Sequence, residues 1–177
     1  MKRLLIPLAL LVVLALQGVA IELATSFTSM QHVYIIAHWV FVCVVCISIF
    51  YDHEHSYYGI IYGVIFGLLV DIVYTDMLGT YMLGYGLAMF ILQGVKHVFY
   101  INIYTTLLMV TLGLLVADVF VHGIYALVSI VHVPFWSYVW TRLLPTILAN
   151  LIFLILLYPI IYKRLPRWRL EYEEKNR

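Results

Sequence analysis

Residues 57–84 read YYGIIYGVIFGLLVDIVYTDMLGTYMLG, and this stretch decides the fold class. Between Tyr57 and Thr75 the only charged residue is Asp71. A run of this length and character matches the roughly 20 apolar residues that a helix needs to cross the hydrocarbon of a bilayer. Hydrocarbon offers no partner to backbone N–H and C=O groups, and the run lacks the alternation of a membrane β-strand. We therefore predict a transmembrane helix.

Five further apolar runs accompany this one along the chain. Hydrophobic residues make up 65% of the sequence and charged residues 11%, against roughly 25% charged residues in soluble domains, and the mean hydropathy is +1.03. This composition excludes a water-soluble fold. The chain is predicted to be an all-α polytopic integral membrane protein, with one six-helix transmembrane domain at 1–162 and a charged cytoplasmic tail at 163–177. The apolar runs lie at about 4–21, 33–51, 57–75, 78–95, 101–121 and 141–162.

The basic residues lie at the ends of these runs and form no patch, which argues against a nucleic-acid partner. Lys and Arg are retained in cytoplasmic loops more often than they cross the membrane. Their distribution predicts that both termini are cytoplasmic and that only Arg142 lies outside. The first run also resembles a cleaved signal peptide, with Lys2-Arg3 before the apolar stretch and Gly18-Val19-Ala20 after it. Cleavage would leave five spans and the same orientation for them.

The connection between the last two runs, from His122 to Thr141, is rich in aromatic residues. Aromatic rings with a polar edge favour the headgroup level of a bilayer. We therefore predict that this connection lies on the membrane as a short interfacial helix, and a protein partner could use the same surface. Its aromatic residues include Phe135, Trp136, Tyr138 and Trp140.

Charges within membrane-spanning segments are costly and therefore mark candidate sites. Asp71, Asp118 and Arg142 are all predicted in the outer half of the membrane. Arg142, Thr146 and Asn150 follow at i, i+4 and i+8, so they share one face of the last helix. The hypothesis is that Asp71 and Arg142 interact, directly or through Thr146 and Asn150. In the alternative, Asp118 and Arg142 extend to the headgroup region.

A row of glycines precedes Asp71. Gly59, Gly63 and Gly67 follow one another at four-residue intervals, which leaves one face of the helix without side chains. Small residues at this spacing let a second helix approach closely in lipid. The row is predicted to be a packing face, and its partner is either another helix of this chain or another protein.

Two further patterns suggest cofactor chemistry only superficially. Cys43 and Cys46 form C-x-x-C inside an apolar run, where packing is a better interpretation than redox chemistry. His53-Glu54-His55 lacks the i, i+4 histidine spacing of a helical zinc motif. The sequence predicts no metal site and no cofactor.

Two segments carry a family resemblance. One segment comprises Tyr62-Gly63-x-x-Phe66-Gly67-x-x-x-Asp71, then Tyr74-Thr75, Leu78-Gly79-x-Tyr81-Met82 and Gly84. It resembles the central signature of the bacterial rod shape-determining protein MreD family. The second is Arg142-x-x-Pro145-Thr146-x-x-x-Asn150, which is similar to the last helix of that family in Gram-positive rods. Chain length, helix number and the basic C-terminal tail agree with the resemblance.

The resemblance implies a non-enzymatic scaffold of the machinery that elongates the cell wall. The expected partner is the single-span membrane protein MreC, and the indirect partners are the actin-like MreB filament and the peptidoglycan synthases. It also implies a distant relation to the substrate-binding membrane subunits of vitamin transporters. The charged residues suggest two alternative functions. One is a small-molecule or lipid-binding transporter subunit, and the other is an intramembrane enzyme that uses Asp71 and Asp118 as an acid–base pair.

Overall fold

The computed structural model describes residues 5–28, 33–51, 57–96, 100–129 and 133–175, and all regular structure in these ranges is helical. Each of the six apolar runs contains a helix, which confirms the all-α prediction and the number of helices. A seventh, short helix joins the last of them through a π-helical turn at Val139–Leu143. The helices are α1 (Leu5–Thr28), α2 (Trp39–Phe50), α3 (Tyr58–Tyr74), α4 (Thr80–Val95), α5 (Ile103–Leu127), α6 (Phe135–Tyr138) and α7 (Leu144–Lys175).

Three described segments are long and apolar enough to cross a membrane as helices. They are Leu5–Ala24, Ile103–Leu127 and Phe135–Pro166, whereas α2, α3 and α4 are apolar but shorter. The chain is therefore consistent with a multi-pass membrane protein. The orientation of its termini stays a prediction, as does the separation of residues 163–177 as a tail. The helix α7 continues through this segment to Lys175 and contains Pro159 and Pro166.

The helix α2 lies at the centre of the molecule. Val40, Phe41, Val42 and Val44 are completely buried. A helix that is apolar on every side must be covered on every side, and α2 contacts α1, α3, α4, α5 and α7. Cys43 and Cys46 are free, buried thiols within α2.

The prediction of a helix over 33–51 is wrong at its beginning. Residues 33–38 are not helical, and α2 begins only at Trp39. With 12 residues, α2 is about 18 Å long, well short of the roughly 30 Å hydrocarbon core.

The aromatic connection differs in part from its prediction. The helix α5 continues to Leu127, beyond the predicted start of the connection at His122. The predicted short helix is present as α6, and Trp136 and Trp140 are exposed at 72% and 66%. Tyr138 is an exception, because its ring is buried in the bundle. The segment His53-Glu54-His55 lies outside the described residues.

Candidate functional site

Asp71 caps the next helix of the chain. It lies fully buried near the end of α3, and its carboxylate accepts hydrogen bonds from three backbone amides at the beginning of α4. Oδ2 accepts from Gly79 N at 2.9 Å and Met82 N at 3.0 Å, and Oδ1 accepts from Tyr81 N at 2.8 Å. The first N–H groups of a helix have no partner within the helix and carry its positive dipole end. A buried carboxylate in this position is therefore compensated by backbone groups.

The glycine before α4 has no side chain that could cap this helix, and the capping carboxylate comes instead from α3. This residue, Gly79, has φ +94°, a left-handed conformation that glycine adopts without strain. Capping residues normally supply a side-chain oxygen at this position, but glycine has none. Asp71, eight residues earlier, supplies the missing acceptor. The spacing Asp71-x7-Gly79-x-Tyr81-Met82 is thus the sequence of a cap between two helices.

Asp118 and Arg142 form a buried ion pair between α5 and the π-helical turn. Arg142 Nη2 lies 3.1 Å from Asp118 Oδ1, and the Tyr138 hydroxyl donates to Asp118 Oδ2 at 2.5 Å. Asp118 is 1% exposed, whereas Arg142 retains 18% exposure. The π-helical turn contains Arg142 and begins directly after Tyr138, the last residue of α6, so α6 and the turn together position the two donors to the carboxylate. Asp118 is therefore shielded from water by its own chain, and its depth in the membrane stays a prediction.

His38 extends this ion pair into the centre of the bundle. Its Nδ1 shares a 2.8 Å hydrogen bond with the Tyr85 hydroxyl of α4, and its Nε2 lies 3.7 Å from Asp118 Oδ1. On the other side, the His122 ring stacks on the Tyr138 ring with centroids 3.7 Å apart. The cluster joins α4 and α5 to the segments before α2 and α7. We name His38, Tyr85, Asp118, Tyr138 and Arg142 the outer polar cluster, after the outer half of the membrane in which the sequence predicts Asp118 and Arg142.

Thr146 and Asn150 pair the non-helical backbone before α2. Both are fully buried in α7. Ile36 N donates to Thr146 Oγ1 at 3.2 Å, Asn150 Nδ2 donates to the Ile36 carbonyl at 2.8 Å, and His38 N donates to Asn150 Oδ1 at 2.7 Å. Non-helical backbone at membrane depth is tolerated where its polar groups are paired within the protein. The shared face of Thr146 and Asn150 serves this pairing.

The predicted interaction between Asp71 and Arg142 is wrong. Arg142 pairs with Asp118, whereas both oxygens of Asp71 accept hydrogen bonds from the backbone of α4. The proposed link through Thr146 and Asn150 is absent from the described residues, because these two side chains bind backbone groups of residues 36–38. The three charged residues that the sequence predicts in the outer half of the membrane are thus divided between two separate arrangements.

The glycine row packs inside the chain. A Cβ added at Gly67 would lie 2.6 Å from the Tyr81 carbonyl oxygen, and one at Gly63 would lie 2.8 Å from Met89 Cγ, both in α4. At Gly59 it would lie 2.8 Å from Ser48 Cβ of α2. Of the two partners that the sequence left open, the structure places a helix of the same chain against this face.

Hydrogen bonds of Gln17 and Tyr74 tie the helix α1 to the bundle. Gln17 is 1% exposed, and its Oε1 accepts from Val40 N at 3.1 Å, so it pairs a backbone amide at the start of α2. The Tyr74 hydroxyl donates to the Leu14 carbonyl. These contacts make α1 part of the packed structure.

Comparison with known proteins identifies the family. The family model described as rod shape-determining protein MreD matches residues 2–167. The chain belongs to the MreD family. It is 26% identical over 151 residues to the rod shape-determining protein MreD of Bacillus subtilis (strain 168), which covers 85% of this chain and 86% of that protein. No solved structure matches the chain significantly, and the relation to vitamin transporter subunits is without support.

The family membership confirms the resemblance carried by the two segments of sequence. It makes this chain a rod shape-determining membrane protein, and the apolar helices agree with a multi-pass protein of the plasma membrane. His38, Tyr85 and Tyr138 complete the outer polar cluster, but they are not among the site residues that the sequence predicts. Their separation from Asp118 along the chain ranges from 20 to 80 residues, and no local spacing signals it.

Proposed function

We propose that this chain is a non-enzymatic membrane scaffold of the cell-wall elongation machinery. In this proposal it binds an MreC-like single-span membrane protein and, through that partner, acts with the MreB filament and the peptidoglycan synthases. Membership of the MreD family supports a role in rod shape. The observation that carries the scaffold role is that both intramembrane carboxylates are engaged by donors of their own chain.

The division of the carboxylates argues against an intramembrane acid–base pair. Such a pair requires two carboxyl groups in one site whose environments push their proton affinities apart. Asp71 accepts three backbone N–H groups, and Asp118 accepts from Tyr138 and Arg142. Each carboxylate therefore holds helices together. Asp71 and Asp118 therefore do not form the shared charged site that motivated the transporter-subunit alternative. No observation on the described residues favours that alternative.

The partner must use a surface other than the glycine row, because α4 of the same chain covers that row. We propose the exposed aromatic residues of α6 and the π-helical turn as the contact. Phe135, Trp136 and Trp140 are exposed at 57%, 72% and 66%. Tryptophan is among the residues that contribute most to binding energy at protein interfaces. These three side chains form the aromatic surface.

The test is capture of the partner from native membranes of a rod-shaped bacterium. The tagged full chain should recover a single-span membrane protein, and the double variant Trp136→Ala/Trp140→Ala should recover much less of it. Loss of one interface hot spot costs about 2 kcal/mol or more, which is at least about 30-fold in affinity. Tyr104→Ala is the matched control, because Tyr104 is a 79% exposed aromatic residue in the first turn of α5.

Three outcomes separate the parts of the proposal. Selective loss in the tryptophan variant supports both the partner and the surface. Equal recovery by all three proteins would refute the aromatic surface while leaving the scaffold role. Recovery of no single-span protein by the unaltered chain would refute the scaffold role itself.

A further inference from the structure

A groove between α1, α2 and α7 has no role in the proposed function. It encloses a cavity of about 170 Å³. Its walls include Leu10 and Val13 of α1, Ile47 of α2, and Leu157 and Ile161 of α7, and no polar atom contributes exposed surface to it. The groove is partly open towards the bilayer, since Ala9 and Ile160 at its rim are exposed.

The aliphatic part of one charged side chain, Arg164, lines this apolar groove. Arg164 is exposed and has no hydrogen bond or ion pair with any other described residue. The wall that α7 contributes runs from Leu157 to Leu165, about 12 Å of helix, and Arg164 stands at the end towards the polar C-terminal segment. A cation at one end of an apolar groove is complementary to an amphiphile, because the apolar chain fits the groove and a negative headgroup can pair with the cation.

We propose that this groove binds one acyl chain of an anionic phospholipid whose phosphate pairs with Arg164. The cavity is of the right size, because an apolar cavity of about 150 Å³ stays dry and accommodates benzene. A groove of 170 Å³ thus holds a segment of roughly six carbons. The proposal is independent of the scaffold role, since it uses neither the outer polar cluster nor the aromatic surface.

A partner helix fits the groove less well. A packed helix inserts only side chains into a groove, so it would place a few of them in this space of 170 Å³, whereas an acyl chain can lie along its length. A helix would also need a negative residue to meet Arg164. Basic residues beside spaces between transmembrane helices are known to bind anionic lipid headgroups. Shape and charge together therefore favour a lipid.

Lipid binding to the purified full chain tests the proposal. We would titrate phosphatidylglycerol and phosphatidylcholine with identical acyl chains in neutral detergent and count bound lipid by native mass spectrometry. One phosphatidylglycerol should bind with higher affinity than phosphatidylcholine. Arg164→Gln should weaken phosphatidylglycerol about fivefold, the factor that corresponds to roughly 1 kcal/mol per basic residue. Lys163→Gln is the matched control, because this neighbouring exposed cation does not line the groove.

A second pair of variants tests the cavity itself. Ala9→Phe should fill the groove and reduce binding of both lipids, whereas Ala15→Phe, at another exposed position of α1 outside the groove, should not. Equal affinities of the two lipids for the unaltered chain, or equal effects of Arg164→Gln and Lys163→Gln, would overturn headgroup recognition by Arg164. Undiminished lipid binding in Ala9→Phe would overturn the groove as the site. A stoichiometric protein that Ala9→Phe displaces would identify a partner helix instead of a lipid and also overturn the proposal.

Discussion

At the residue scale, the intramembrane charges are satisfied in two different ways. Asp71 is compensated by backbone amides of α4 and Asp118 by side chains of α6 and the π-helical turn. Both solutions remove the penalty of a buried charge, because each carboxylate oxygen accepts hydrogen bonds. The consequence for stability differs, because a substitution can remove the side-chain donors to Asp118 but not the backbone donors to Asp71.

Replacement of Asp71 tests the helix cap. Asp71→Ala would leave three backbone amides of α4 without their acceptor, and loss of a capping side chain costs about 0.5–2 kcal/mol. We expect the free energy of unfolding to fall by at least that amount. Asp76→Ala is the control, because Asp76 is exposed and lies in the same connection. Similar effects of the two substitutions would contradict the cap.

A double-mutant cycle tests the pair of Asp118 and Arg142. Arg142→Gln leaves a fully buried carboxylate, whereas Asp118→Asn leaves a partly exposed guanidinium, so the first substitution should destabilise more. The combined effect should depart from the sum by about 0.5–3 kcal/mol. Arg142→Gln combined with Asp71→Asn should be additive within about 0.5 kcal/mol. A coupling energy between Arg142 and Asp71, with none between Arg142 and Asp118, would contradict the pairing of Arg142 with Asp118.

Some properties of the charged residues can be predicted from the sequence, and others cannot. The common depth of Asp118 and Arg142 follows from helix rise and hydropathy, which are local properties. The choice between Asp71 and Asp118 as the partner of Arg142 depends on which helices are neighbours. The role of Asp71 could not be predicted for a second reason. The donors of its three hydrogen bonds from α4 are backbone amides, and the sequence does not indicate which backbone amides a side chain will bind.

At the scale of the elements, hydropathy predicted the helices but not their interruptions. All six apolar runs contain helices, because lipid and core packing both demand apolar side chains on a helix. Residues 33–38 belong to one of these runs but are not helical, and Thr146 and Asn150 of α7 pair backbone groups of this segment. The spacing of Thr146 and Asn150 indicated a shared face. It could not indicate that this face binds backbone.

The contact between α3 and α4 depends on the glycine row. A methyl group at Gly67 would meet the Tyr81 carbonyl oxygen at 2.6 Å and Met82 Cα at 2.8 Å, which are backbone atoms that cannot rotate away. Overpacking of this kind costs about 1–3 kcal/mol. We expect Gly67→Ala to lower the free energy of unfolding by that amount and to reduce the folded protein recovered from membranes.

Gly94→Ala in α4 is the matched control for this substitution. A methyl group at Gly94 has no atom within 4 Å to meet, and alanine is about 1 kcal/mol more favourable than glycine within a helix. Gly94→Ala should therefore be neutral or stabilising. A Gly67→Ala variant as stable as Gly94→Ala would show that α3 and α4 do not pack as closely as described.

At the scale of the whole molecule, polar residues join helices that are distant in the sequence. Gln17 binds the start of α2, Asn150 binds the segment before it, and the outer polar cluster links that segment to α4, α5 and α6. A membrane bundle gains little from hydrophobic association within lipid, so packing and hydrogen bonds carry more of its specificity. The polar residues of this MreD-family chain are therefore used to hold its own fold.

We propose above all that these buried charges maintain the structure and take part in no reaction. We would measure cell width against the amount of folded protein in a rod-shaped bacterium whose own MreD is depleted. The chain would be supplied at graded expression, either unaltered or as Asp71→Asn, Asp118→Asn or Arg142→Gln. The account predicts that restoration of rod shape depends on the folded amount alone, so that all four proteins fall on one curve. A variant that is fully folded in the membrane and captures its partner, yet fails to restore rod shape, would contradict it.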